Sequence, residues 1–266
     1  MELCSIASGS SGNCIYVGNE NTHLLLDAGI SGKKIEQGLS TIDINPERLS
    51  GILITHEHSD HVKGLGVMVR RYHLPVYATA ETIHAALHGK SSIGKIPEEC
   101  IHLVTPDTPF DIQDIHVMPF SISHDAANPV SYTFSQDDGK KVGVATDLGV
   151  YDDYVVRNLA DSDALLLEAN HDISMLEVGP YPYVLKQRIL GKRGHLSNDN
   201  TGKLLNELLH PGLKHVFLGH LSKENNYPDL AFETVRYEME KEDPDILQKV
   251  TLEVAKRDNV CEPVFV

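Results

Sequence analysis

Three imidazoles and the Asp60 carboxylate fall within the six residues His56-Glu57-His58-Ser59-Asp60-His61. A solvated polar turn does not account for that density. His56 and His58, two positions apart, can project to one side of an extended or turning backbone and hold one cation. Asp60 and His61 fall on the next turn and can hold a second. Imidazole with carboxylate is a ligand set for Zn²⁺, Mn²⁺ or Fe.

Something rigid must present such a cluster, and the preceding residues supply it. Gly51-Ile52-Leu53-Ile54-Thr55 reads as a short buried strand, so the histidines leave its C-terminal end, where ligands collect in α/β sheets. Leu24 to Leu26 form an apolar run closed by Asp27, and Val144-Ala145-Thr146 one closed by Asp147. Ala164 to Asn170 reads as a buried strand carrying Glu168 near its end, and His215 to Gly219 as a strand followed by His220. Tyr132 to Phe134 and Lys141 to Ala145, joined through Asp137-Asp138-Gly139, predict a hairpin. Met1 to Ala7 and Cys14 to Val17 read as strands around Ser8-Gly9-Ser10-Ser11-Gly12-Asn13. That turn is either a plain hairpin loop or one whose amides line an anion site. Asn45-Pro46 reads as a helix start, residues 198–209 and 229–240 as amphipathic helices, and residues 250–255 and 260–266 as closing strands.

Bulk properties narrow the setting. A chain of 266 residues without repeat, low-complexity linker or composition break predicts one domain spanning 1–266. The sequence shows no secretory pattern and no apolar run long enough to span a bilayer, which predicts a soluble cytoplasmic protein with no membrane partner. Cys4, Cys14, Cys100 and Cys261 are scattered and make no zinc or disulfide framework. A net charge of −15 argues against a general polyanion-binding surface. A nucleic acid substrate stays open, because bound cations add local positive charge that a residue count omits.

The segment His56 to His61 resembles the H-x-H-x-D-H signature of the metallo-β-lactamase-fold hydrolases. The strand ending at Asp27, the isolated Ser121-Ile122-Ser123-His124-Asp125, the strand before Asp147 and the strand before His220 resemble that family's other stations, in family order. The resemblance implies an αββα four-layer sandwich with metals at one edge. It implies that His56, His58 and His124 bind one metal, that Asp60, His61 and His220 bind another, that Asp147 bridges them, and that Asp27 orients the histidine loop from behind. Two divalent cations about 3.5–4 Å apart then supply a bridging hydroxide near neutral pH and neutralise charge on the reacting centre, with no protein nucleophile required.

From Glu168 onward, the order strand-Glu, Gly194-His195, helix, strand-His220 is similar to the nucleic acid branch of that superfamily, which includes RNase J and RNase Z. This implies that His195 contacts the scissile phosphate or protonates the leaving oxygen. Glu168 either orients His195 or is an ordinary strand-end carboxylate. The stretch from Asp147 to His195 is too short for an inserted clamp domain. With Ser8 to Cys14, the chain resembles the compact YycJ (WalJ) group. That implies a 5′ to 3′ exonuclease acting on DNA, with Asp60, Glu168 and His195 in catalysis, a free 5′ end as the substrate feature and a role in DNA repair; protein partners are left open. Substrate contacts are expected from Ser10, Ser11, Lys192, Arg193 and His195. Lys186 and Arg188 precede that basic pair, and Lys223 follows His220. The bland alternative is a solvated helix face whose apolar side is Val184, Leu185 and Leu190. Tyr181 and Tyr183 read first as packing residues, with base stacking as the alternative. Competing functions are an ester or thioester hydrolase like glyoxalase II, an RNA-processing nuclease, and a non-catalytic regulatory partner.

Overall fold

The computed structural model describes residues 1–89 and 92–266. Strands β1 (Glu2–Ala7), β2 (Cys14–Gly18), β3 (His23–Leu26), β4 (Gly51–Leu53), β5 (Val76–Ala78) and β6 (Ile101–Leu103) run in that order across a first sheet. Strands β7 (Phe110–Ile112), β8 (Ile115–Ser121), β9 (Val130–Ser135), β10 (Lys141–Ala145), β11 (Ala164–Glu168), β12 (His215–Gly219) and β13 (Thr251–Val254) form a second sheet in chain order. Strand β14 (Val264–Phe265) returns to the first sheet, antiparallel to β1.

Side-chain alternation along these strands builds the layers. Ile15, Val17, Leu24 and Leu26 face Val142, Val144, Leu166 and Phe217 in the core between the sheets. Their neighbours Tyr16 and Leu25 point the other way, toward helices α1 (Gly32–Thr41), α2 (Ser59–Val62), α3 (Leu65–Tyr72) and α4 (Ala80–His88). In the second sheet Leu165, Leu167, Val216 and Leu218 face outward beneath α5 (Asp153–Leu159), α8 (Asn198–Leu208) and α9 (Pro228–Glu240), α6 (Ile173–Val178) and α7 (Tyr183–Leu190) lying between α5 and α8 in the chain. Strands covered on both faces must be apolar at every position, which is why these segments read as continuous hydrophobic runs. The result is the expected αββα sandwich. No helix among the described residues is long and apolar enough to cross a membrane.

Three expectations need correcting. The Asn45-Pro46 start opens only a three-residue 3₁₀ turn, Pro46–Arg48, although Asn45 does cap it by accepting from the Glu47 amide at 3.0 Å. The final strand is two residues long rather than the whole of 260–266. In α7, Val184 is 80% exposed and Leu190 40%, so Ile189 and not the expected apolar side meets the core. Leu185, of the expected apolar side, is partly buried and lines the cavity beside Ile189.

Candidate metal centre and catalytic pocket

The candidate residues converge at the C-terminal ends of β3, β4, β10, β11 and β12. His56 leaves β4 in an extended segment, His58 occupies the position before α2, and Asp60 and His61 ride on that single helical turn. The turn is held from beneath by the backbone of the β1–β2 loop and of the segment that follows β3. Asn13 donates its amide to the Asp60 carbonyl at 2.8 Å, and Ala28 donates to the His61 carbonyl at 2.8 Å. Gly29 has to be glycine, because a Cβ there would sit 1.6 Å from the Asp60 carbonyl oxygen.

Hydrogen bonds behind the histidines fix which ring nitrogen faces inward. His56 Nδ1 lies 3.0 Å from Thr55 Oγ1, His61 Nδ1 2.7 Å from Asp27 Oδ2, His124 Nδ1 3.1 Å from the Gly194 carbonyl and His220 Nδ1 2.7 Å from Glu168 Oε1. Each of these partners accepts or can accept, so the four Nδ1 atoms carry protons and leave Nε2 lone pairs pointing into the site. His58 is turned the other way. Its Nδ1 lies 3.0 Å from His56 Nε2 and 3.3 Å from His124 Nε2. Tetrahedral ligands at Zn–N distances of about 2.0–2.1 Å stand about 3.3–3.4 Å apart, so the spacing of these three nitrogens fits one divalent transition cation.

The second group is richer in carboxylate. Asp60 Oδ2 lies 3.6 Å from His61 Nε2 and 3.5 Å from His220 Nε2. Asp147 stands between the two groups, with Oδ2 3.1 Å from His61 Nε2 and Oδ1 3.6 Å from His124 Nε2. Oδ2 of Asp147 is buried and has no hydrogen-bond partner among the described residues. An acceptor placed so would be costly in a site meant to stay metal-free, and it fits a bridging ligand. Asp27, Asp147 and His220 all adopt positive φ, 62°, 57° and 54°, just past their strands. Five other non-glycine residues among the described ones do so elsewhere, so the feature supports a constrained site without identifying one.

Electrostatics separate the two groups. Burial lowers the pKa of His56, and neighbouring imidazoles lower it further, so it is held well below the usual histidine value as a neutral donor. Burial alone would also lower His220, but Asp147, Asp60 and Glu168 outweigh it and raise it to about 10. Asp60 goes the opposite way: burial would raise it, yet His61 and His220 hold it far below the ordinary carboxylate range. A cluster with that much carboxylate has the charge to receive a cation in place of protons.

Glu168 occupies the centre of the second sheet's contribution. Oε1 accepts from His220 Nδ1 at 2.7 Å and faces His195 Nδ1 at 2.8 Å, while Oε2 accepts from the Leu148 amide at 2.8 Å and the Leu196 amide at 3.1 Å. Burial would raise its pKa, but His195 and His220 hold it at about 2. His195 sits just before α8, whose cap is Ser197, and its side chain is 20% exposed. It borders, with Ser10, Asp60, Asp147 and His220, a cavity of about 230 Å³.

The expected contacts fall unevenly around that cavity. Ser10 lines it, and Ser11 is exposed beside it on the same loop. Lys192 and Arg193 are exposed on the turn before His195, and Arg193 Nε donates to the His124 carbonyl at 3.0 Å. Arg188 and Tyr181 line the cavity, Arg188 paired with Asp125. Tyr183 is 74% exposed. Sequence reasoning missed Asn13. Its amide Nδ2 lies 3.1 Å from His61 Nε2 while its Oδ1 accepts from the Gly9 amide at 2.9 Å, which ties the Ser-Gly loop to the second ligand group.

A family model described as a beta-lactamase superfamily domain matches residues 22–220. The chain is 40% identical over 236 residues to Exodeoxyribonuclease YycJ of Bacillus anthracis, covering 89% of this chain and 88% of that relative. It is 43% identical over 230 residues to Exodeoxyribonuclease WalJ of Streptococcus pneumoniae, covering 86% and 85%. The chain belongs to the beta-lactamase superfamily, in its YycJ (WalJ) group. Among solved structures, the metallo-β-lactamase-fold protein YhfI of Bacillus subtilis matches with a TM-score of 0.69 at 16% identity, covering 98% of this chain and 99% of that one. Human tRNase Z, short form, matches at 0.64 and 17%, covering 98% and 99%. At such identities these two support the fold, which agrees with the layers described above. The chain is thus a member of a family of metal-dependent hydrolases, with histidine and aspartate clusters able to hold metal ions.

Proposed function

We propose that this chain is a dinuclear-metal phosphodiesterase that degrades DNA from a free 5′ end and leaves 5′-phosphate products. One observation carries the reading: Glu168 holds two imidazoles, one belonging to a ligand group and the other, His195, left facing the cavity. An ester hydrolase needs the ligands but gives His195 no task. The similarity to two proteins named exodeoxyribonucleases supports DNA as the substrate.

In this reading His56, His58 and His124 hold one divalent cation, Mn²⁺ or Zn²⁺ with Fe as the third choice. Asp60, His61 and His220 hold the other, and Asp147 serves both. When bound, the cations supply a water acidified toward neutrality and positive charge against the developing phosphorane. The chain supplies the rest. Glu168 accepts a hydrogen bond from His195 Nδ1–H, so the ring presents its Nε2–H to the cavity. There it gives its proton to the departing 3′ oxygen of the strand. Burial would lower the pKa of His195, but the Glu168 carboxylate raises it above the ordinary value, so the proton is available. Asp27 holds His61 in orientation, and Asp60 contributes to both metal holding and catalysis.

Dependence on a free end follows from what surrounds the pocket. No clamp domain lies between β10 and α8, so long internal duplex has little to grip it, and a free end is what can enter. Such an enzyme suits strand-end processing in DNA repair, in the cytoplasm.

The test uses a duplex labelled at one 5′ end and, separately, at the opposite 3′ end, with Mn²⁺ or Zn²⁺ and with chelator. Mononucleotide is expected from the 5′ label first, and closed circular DNA should resist. Release from the 3′ label first, or cutting of closed circles at equal speed, refutes the polarity. His195→Ala should keep the metal content of the wild type and lose roughly 10²–10⁴ in turnover. A variant with near-wild-type turnover removes His195 from the chemistry.

A further inference from the structure

Arg257 follows β13, and its half-buried guanidinium has no carboxylate partner among the described residues. Its neighbour Asp258 is already paired with Lys34 at 3.1 Å. Desolvating a guanidinium is costly, and its fork matches the paired oxygens of a carboxylate or a phosphate. Here Nη2 donates to the Leu221 carbonyl at 2.6 Å, the residue directly after His220, which fixes the plane of the group. Nη1 points at the Ser-Gly loop, 3.5 Å from the hydroxyls of both Ser10 and Ser11. Gly9 permits this approach, since its φ is +156° and a Cβ there would lie 2.6 Å from Nη1.

The loop under Arg257 is fastened to the second ligand group. The His220 amide donates to Ser8 Oγ at 2.8 Å, Asn13 reaches His61 at 3.1 Å, and the Ser8 amide donates to the Lys256 carbonyl at 3.2 Å. Ser10 borders the metal cavity, and Ser222 borders both that cavity and a hollow of about 380 Å³ lined by Lys223, Lys256 and Arg257. None of these three cations makes an ion pair with a carboxylate among the described residues, in a chain whose net charge is −15. On the α7 side, by contrast, Arg188 is paired with Asp125.

We propose that Arg257, with the hydroxyls of Ser10 and Ser11 and with Lys223 at the rim, forms a pocket for the 5′-terminal phosphate of the strand being degraded. The assignment rests on the nuclease reading above. A terminal monophosphate carries close to two negative charges and three free oxygens, more than an internal diester offers. A guanidinium fork with two adjacent hydroxyls matches that demand. Seated one loop away from the metal centre, the pocket would measure off the end of the strand and place the next phosphate at the reacting position.

The test compares kcat/KM for one DNA duplex bearing a 5′-phosphate with the same duplex bearing a 5′-hydroxyl. The wild type should prefer the phosphate roughly tenfold or more, as for a charge-assisted contact. In Arg257→Gln the ratio should fall to about one, chiefly through KM. Ser10→Ala with Ser11→Ala, at exposed positions, should lower it part of the way. A wild-type ratio of one, or an Arg257→Gln loss equal on both duplexes, overturns the pocket. Failure of the nuclease reading looks different, because neither duplex is then degraded. In that case anisotropy of labelled 5′-phosphoryl and 5′-hydroxyl strands decides: a binding preference that Arg257→Gln abolishes supports the pocket, and no preference overturns it. If Arg257→Gln lacks a cooperative thermal transition, Arg257→Lys and the serine pair carry the test, and a full wild-type ratio in both overturns it.

Discussion

Asp27 and Glu168 are carboxylates at the ends of strands in opposite sheets, both fully buried, and each holds an imidazole Nδ1 at 2.7 Å. They differ in what else they hold. Asp27 spends its remaining capacity on Thr55, accepting from its amide at 2.9 Å and from its hydroxyl at 2.9 Å. That hydroxyl in turn meets His56 at 3.0 Å, so everything around Asp27 is sealed and serves the ligand loop. Glu168 spends its capacity on two amides and a second histidine whose side chain remains 20% exposed. The same device therefore yields two outcomes. Closed on itself it fixes ligands; opened by one extra imidazole it delivers a proton-carrying group to the cavity. On the proposed reading, the first sheet would only hold, and the second would both hold and react.

That contrast can be broken most directly at Glu168. Glu168→Gln should remove His195 alignment and weaken His220 together, costing at least 10²–10⁴ in turnover and about 10–100-fold in metal affinity. Turnover at graded metal concentration checks both. Asp27→Asn should cost about 10–100-fold in metal affinity while saturating metal restores turnover to within a few-fold. If saturating metal leaves Asp27→Asn as slow as Glu168→Gln, the distinction between a holding and a reacting carboxylate is lost. The smallest effect belongs to Thr55→Val, which keeps the shape and removes the hydroxyl that joins Asp27 to His56. Leaving those buried groups short of a partner should cost about 1–3 kcal/mol of stability, read by denaturant unfolding. An unchanged midpoint would show that the relay through Thr55 carries no weight.

What could be seen in the sequence, and what could not, follows from the range of the contacts. The histidine loop was legible because four ligating side chains lie within six positions, and Asp27, Asp147 and His220 because each closes an apolar run. His195 was suggested by the resemblance of the strand-Glu, Gly-His, helix, strand-His order to the nucleic acid branch of the superfamily. The second partner of Glu168 was not legible. It depends on β11 lying parallel beside β12 with Glu168 opposite Gly219, a register that no local pattern encodes. Asn13 and Arg257 were hidden for the same reason, one meeting its partner 48 residues away and the other 247. Helix α7 misled in the other direction. Its apolar residues look like a buried stripe, but a short helix at the rim has only one side chain's worth of core to cover.

The wide separation of the ligands also sets a rule for synthesis. Asp60 and His220 meet across 160 residues of chain, and β12, which delivers His220, needs β11 and β13 on either side of it. A chain released before β12 has the histidine loop, with Asp60 and His61, but lacks the His220 that completes their group. On the proposed reading, a product that stops short of β12 would therefore hold the histidine loop without nuclease activity.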